Sequence, residues 1–213
     1  QLETGYDELL VLLNYNDYLK QFGFNRDNVS GMFIPNTYYF YWNTTADQFM
    51  KRMYKEYQAF WTPERLQKAK DQGLTPIEAI TLASIVDRET NCNSEKPTIA
   101  GVYLNRLRKG MPLQADPTVV FAMKDFTIKR VRKGHTKIDS PYNTYVNIGL
   151  PPGPICTPAT SSINAVLNAS KHKYMFFCAK EDFSGYHNFA ETFEQHLQFA
   201  RKFQKELNEN DIE

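Results

Sequence analysis

The most regular hydrophobic pattern in the chain is a run at residues 75–89 that is apolar nearly all round. Thr75-Pro76-Ile77-Glu78 opens it: Thr75 can cap, proline fits the first helical position, and Glu78 closes a capping box. Ile77, Ala79, Ile80, Leu82, Ala83, Ile85 and Val86 follow, which predicts a buried helix. Polar Asp87-Arg88-Glu89 ends it, with Glu89 on the same face as Leu82 and Ile85. Helical spacing also predicts helices at residues 7–22, 46–60 and 98–108, another opening at Thr62-Pro63, and a closing amphipathic helix at 191–208. Asp116-Pro117 and Thr157-Pro158 repeat the helix start signal, each before an apolar stretch. Residues 31–42 are aromatic-rich and read as extended, either a buried strand or the lining of a groove. Residues 173–179 (KYMFFCA) read as a short apolar strand that 186–190 can pair with as a hairpin. The mixture predicts an α+β fold of helices with short antiparallel strands, without internal repeats.

Composition narrows the classes. With 42% apolar and 23% charged residues the chain reads as an ordinary globular protein. A net charge of +1 provides no field for neutralising phosphates, so no nucleic-acid partner is expected. No apolar run is long enough to span a membrane, and no signal peptide precedes the first helix. A start at Gln1 rather than Met is what a fragment or processed form would show. Cys92, Cys156 and Cys178 cannot all pair within one chain and fit no zinc spacing; they read as small buried hydrophobes. His135, His172 and His196 form no ligand set either, so no metal and no cofactor are expected. The basic stretch at 129–135 reads equally as a solvated loop or a contact for acidic peptides.

Glu89 is the candidate with chemistry. A carboxylate on an apolar helix face is costly to ionise, and desolvation moves it towards the range of a general acid. The plain alternative is a solvated helix end.

Downstream blocks decide between these readings. Ile99-Ala100-Gly101-Val102-Tyr103-Leu104-Asn105-Arg106-Leu107 is followed by Gly110-Met111-Pro112-Leu113-Gln114-Ala115-Asp116-Pro117-Thr118-Val119. Then come Tyr142-Asn143-Thr144-Tyr145, Gly149-Leu150-Pro151-Pro152-Gly153-Pro154-Ile155 and Tyr186-His187-Asn188-Phe189. In this order, behind the ASIVDRET helix, the set resembles the YceG-like family of endolytic murein transglycosylases over about residues 30 to 207. The resemblance implies a lyase that cuts the MurNAc–GlcNAc bond of nascent peptidoglycan strands, leaves 1,6-anhydro-MurNAc ends and terminates elongation. It also implies a single-pass anchor in the cytoplasmic membrane, absent from this chain, with the catalytic part on the cell-wall side. Peptidoglycan strands are the implied partner, and an association with wall synthases stays open. Residues 1–45 would be the remnant of a LysM-like subdomain and its linker, and 46–213 the catalytic domain.

Carried over by position, the catalytic glutamate falls on Glu89, on a buried helix beside a glycan cleft. The family writes Glu where this chain has Asp87; the shorter side chain alters reach there and favours Glu89 over Asp87. Gln114 and Asn143 can donate and accept, as reading of hydroxyl and N-acetyl groups requires. Thr144 joins them, and Tyr145 can stack on a sugar or bond through its hydroxyl. Asp116, before Pro117, fits a helix N-cap as well as a glycan contact. His187 either stands in the cleft or is a satisfied structural histidine. Asn105 and Arg106 either brace the helix end or touch substrate. The proline-rich 149–155 segment reads as a stiff loop whose glycines let backbone approach a ligand. Two other functions remain: a muramidase with Asp116 or Asp87 as second carboxylate, and a non-catalytic glycan-binding module.

Overall fold

The start signals are realised as a helical assembly carrying a two-stranded sheet. The computed structural model describes residues 5–128 and 130–209. In chain order come α1 (Tyr6–Asn14), α2 (Asn16–Lys20), a 3-10 turn at Val29–Met32, α3 (Ala46–Phe60), α4 (Pro63–Asp71), α5 (Pro76–Glu89) and α6 (Lys96–Arg108). Then follow α7 (Asp116–Met123), a 3-10 turn at His135–Lys137, α8 (Thr160–Leu167), β1 (Phe176–Ala179), β2 (His187–Ala190) and α9 (Phe193–Glu209). The architecture is α+β.

α5 is the central rod. The Glu78 amide donates to Thr75 Oγ1 at 3.3 Å, and the Thr75 amide donates to Glu78 Oε2 at 2.7 Å. A cap of this kind contributes roughly 0.5–2 kcal/mol. Every residue from Ala79 to Val86 is buried, and each large aliphatic among them contributes roughly 1.5–3 kcal/mol by leaving water. α8 and α6 pack against this rod, with α4 and α7 beside it. Ser84 on α5 accepts from the Ile155 amide at 3.0 Å, which straps the proline-rich loop to the rod.

A second apolar cluster lies at the N-terminal side, where Leu19, Phe22, Phe24, Val29 and Met32 pack with Met50 and Met53 of α3. Gly153 connects the two regions: a Cβ there would stand 1.9 Å from the Asp27 carbonyl oxygen. The close backbone approach expected of that loop is therefore made to the protein's own chain.

Three expectations change. The helix expected over 7–22 is two helices, because Tyr15 is extended (φ −98°, ψ 96°). Its neighbours explain the break: Asn14 Nδ2 donates back to the Leu10 carbonyl, and Asn16 Oδ1 accepts from the Arg26 amide, bonds that compete with helix continuation. The aromatic stretch 31–42 is no strand; Tyr39, Tyr41 and Trp42 are 86%, 85% and 68% exposed. Thr157-Pro158 does not start a helix, since α8 begins at Thr160.

The expected hairpin is present. β1 and β2 are antiparallel, pairing Phe177 with Phe189 and Ala179 with His187. Its apolar side rests on α9 and α6, as a two-stranded sheet requires for stability. Lys129 of the basic stretch lies outside the described residues.

Candidate active site

Two hollows meet at the C-terminal end of α5. One, of about 370 Å³, is bounded by Glu89, Tyr103, Arg106, Gln114, Tyr145 and His187, with the β1 aromatics behind them. The other, of about 480 Å³, lies among Arg88, Pro117, Phe121, Phe126 and Ile155. Glu89 and Asp116 border both, so two carboxylates stand where the hollows join.

Glu89 is half-buried, at the last helical position of α5. Burial pushes its carboxyl up to about 7; the Tyr103 hydroxyl bond pulls it down, and the nearby Asp116 charge adds to the rise. Tyr103 Oη donates to Glu89 Oε1. A carboxyl in this state is about half protonated near pH 7 and neutral below that.

Asp87, two residues earlier, is set differently. Burial opposes its ionisation, yet the Ser162 hydroxyl and the Lys96 ammonium outweigh that and hold it below the ordinary carboxylate range. Lys96 Nζ lies 3.0 Å from Asp87 Oδ1 with its side chain 7% exposed. Asp87 borders neither hollow and is a structural ion-pair member.

Asp116 is the first helical residue of α7, and the N-cap is Ala115, so the capping role expected of Asp116 is not the one it fills. Its Oδ1 accepts from Tyr145 Oη at 2.5 Å. Gln114 has a left-handed backbone (φ 53°), which costs on the order of 1 kcal/mol for a residue with a side chain. Its Oε1 accepts from Arg106 Nη2 at 2.5 Å, and its amide donates to the Thr144 carbonyl at 3.0 Å. His187 is gripped by buried Glu95: the His187 amide donates to Oε1 at 3.0 Å, and Nδ1 lies 3.1 Å from Oε2.

The structure thus gathers Glu89, Gln114, Asp116, Tyr145 and His187 around one hollow. Asn143 and Thr144 stand apart from it, both fully buried. Asn143 Nδ2 donates to the Thr136 and Ile138 carbonyls, and its Oδ1 accepts from the Tyr145 amide. Thr144 Oγ1 accepts from the Ala115 amide at 3.0 Å and contacts Thr118 Oγ1 at 2.8 Å. Their polar groups are consumed in holding the 142–145 turn beneath the start of α7, which is a positioning task rather than a glycan contact.

Tyr103, Arg106 and His196 belong to the lining as well. Tyr103 is a buried residue of α6, and no spacing in the sequence marks it as a site residue. Arg106 does brace, donating to the Pro112 and Met175 carbonyls, but it also carries Gln114. The three cysteines are free and half-buried, and burial pushes the Cys156 and Cys178 thiols up, away from reactivity. Among the described residues no cluster of His, Cys, Asp or Glu could hold a metal ion.

This geometry can be set against known proteins. A model of the YceG-like family matches residues 4–202. The chain belongs to the YceG-like family. Relatives of this YceG-like chain include the Bacillus subtilis (strain 168) protein named endolytic murein transglycosylase, 35% identical over 185 residues, which covers 85% of the chain. A protein of the same name from Streptococcus pneumoniae serotype 2 (strain D39) is 32% identical over 158 residues, covering 72% of the chain. The chain spans 49% of the first relative's length and 28% of the second's. A crystal structure of a YceG-like protein from Listeria monocytogenes superposes with a TM-score of 0.76 at 30% identity, over 92% of this chain and 68% of that one.

Proposed function

We propose that this YceG-like chain is an endolytic peptidoglycan lyase with Glu89 as its single acid and base. The observation that carries the reading is the Glu89 carboxyl, raised to about 7 at the junction of two hollows. Two adjoining hollows that share the acid suit a strand cut within its length. Neutral Glu89 protonates the glycosidic oxygen, and the MurNAc–GlcNAc bond breaks towards an oxocarbenium-like centre. The carboxylate so formed takes the proton of the MurNAc C6 hydroxyl. That oxygen attacks the anomeric carbon and closes the 1,6-anhydro ring, with no water consumed. Gln114, Asp116, Tyr145 and His187 hold the sugars, and the Asp116 charge faces the positive centre.

A second reading, hydrolysis by a muramidase, has one observation in its favour: Asp116 shares both hollows with Glu89. Its carboxylate is already bonded to Tyr145, which suits electrostatic support better than activation of water. On the leading reading the domain works on peptidoglycan strands at the wall side of the cytoplasmic membrane. Membrane anchoring and contact with wall synthases belong to the same proposal; no described helix is long and apolar enough to cross a membrane. The division at residue 45 is then one of function, with 46–213 carrying the chemistry.

The test is digestion of intact glycan strands by the native chain and by Glu89→Gln, with new ends identified by mass spectrometry. Anhydro-MurNAc ends from the native chain, reduced roughly 10²–10⁴-fold in the variant, are expected. Reducing MurNAc ends would establish the muramidase instead. No cleavage by the native chain would leave a glycan-binding module.

A further inference from the structure

Tyr103 lies behind Glu89 on α6. It is 2% exposed, with its ring edge-on to Phe177 at 5.8 Å. Its hydroxyl donates to Glu89 Oε1. Glu89 Oε2 has no hydrogen-bond partner among the described residues, yet it is not a buried, unsatisfied atom; it is the carboxyl oxygen left accessible in a residue that borders the hollow. A neutral carboxyl has one hydroxyl oxygen and one carbonyl oxygen. Since Tyr103 donates to Oε1, that oxygen is the carbonyl acceptor, and the acidic proton is left to Oε2.

We propose that Tyr103 is a positioning residue that fixes the proton of Glu89 on Oε2, the oxygen open to substrate. The proposal rests on Glu89 being the acid. Without the tyrosine the proton can sit on either oxygen, and half of those states aim it into the protein. After transfer the same hydroxyl meets a carboxylate, and a hydrogen bond to an ion is stronger than one to a neutral acid. Tyr103 thus serves both halves of the cycle: it directs the proton outwards, then steadies the base that collects the C6 proton.

A purely structural Tyr103, using Glu89 only to satisfy its hydroxyl, predicts something different. Removing the hydroxyl would then change the folded fraction and raise the titration of Glu89, but would leave kcat on the acidic side of that titration unchanged. The experiment is Tyr103→Phe, assayed on glycan strands from pH 4 to 9 beside the native chain and Glu89→Gln. The expected result is a kcat lowered on the order of 10–100-fold with KM retained. The alkaline limb of kcat/KM should also move to higher pH, because the lost bond was the one favouring ionised Glu89. An unmoved limb overturns the proposal, as does an unchanged kcat. Full activity of Glu89→Gln would instead remove the Glu89 reading itself, whatever Tyr103→Phe does. Should the phenylalanine variant not fold, the native chain still decides. The carbonyl stretch of protonated Glu89, taken as the infrared difference from Glu89→Gln below pH 6, should lie at the lowered frequency of a hydrogen-bonded carbonyl. A band at the free-carbonyl frequency would overturn the assignment.

Discussion

Two carboxylates two positions apart, Asp87 and Glu89, are driven in opposite directions, and stability should register both. Glu89 has an ordinary value of 4.5 and a folded value of about 7, so between those limits the folded chain binds more protons than the unfolded chain. Stability therefore falls as pH rises from about 4.5 to about 7 and stays lowered above. Glu89→Gln removes the penalty: urea denaturation should find the variant more stable by up to about 3 kcal/mol at pH 8 and no more stable at pH 4. Asp87 has the reverse sign, supporting the fold at neutral pH and losing that support as pH falls through the carboxylate range. The apolar face and the polar triplet made Glu89 legible as a candidate from the sequence. Its environment was not legible, because Tyr103 and Lys96 reach these carboxylates from another helix. Asn143 and Thr144 show the limit of reading residue types. An amide or hydroxyl that can bond a sugar can equally bond a peptide, and here it does the second.

At the scale of elements, α6 is the frame on which the hollow is hung. Glu95 at its N-cap holds His187, Tyr103 holds Glu89, and Arg106 holds Gln114. Positions 95, 103 and 106 fall within about 80° of one another at the 3.6-residue period, so one helix face sets three cavity side chains. The other face is fitted just as closely. A Cβ at Gly101 would lie 2.5 Å from both the Ser170 carbonyl oxygen and His172 Nε2. Gly→Ala in a helix ordinarily stabilises by about 1 kcal/mol. Gly101→Ala should do the opposite, costing about 1–3 kcal/mol by overpacking. Displacement of α6 should also lower kcat. Thermal melts paired with the glycan assay check both, and a rise in Tm would show that the neighbours yield without cost.

Across the whole molecule, helices with strong local signals were legible and irregular stretches were not. α3 and α5 begin at Thr-containing capping boxes and run as expected, since cap and periodicity agree there. The aromatic residues 38–42 carry β propensity without a partner strand, and propensity alone makes no sheet. The two walls of the hollow differ in the same way. Glu89 ends a helix whose Ala79–Val86 stretch is sealed in the main core, whereas His187 starts a strand in a two-stranded sheet of mostly intermediate burial. Amide hydrogen exchange should therefore separate them: α5 amides exchange only through global unfolding, and hairpin amides through cheaper local opening. Equal protection on both sides would contradict that division. On the proposed function, proton delivery falls to a part of the molecule that hardly breathes, and accommodation of the sugar to a part that does.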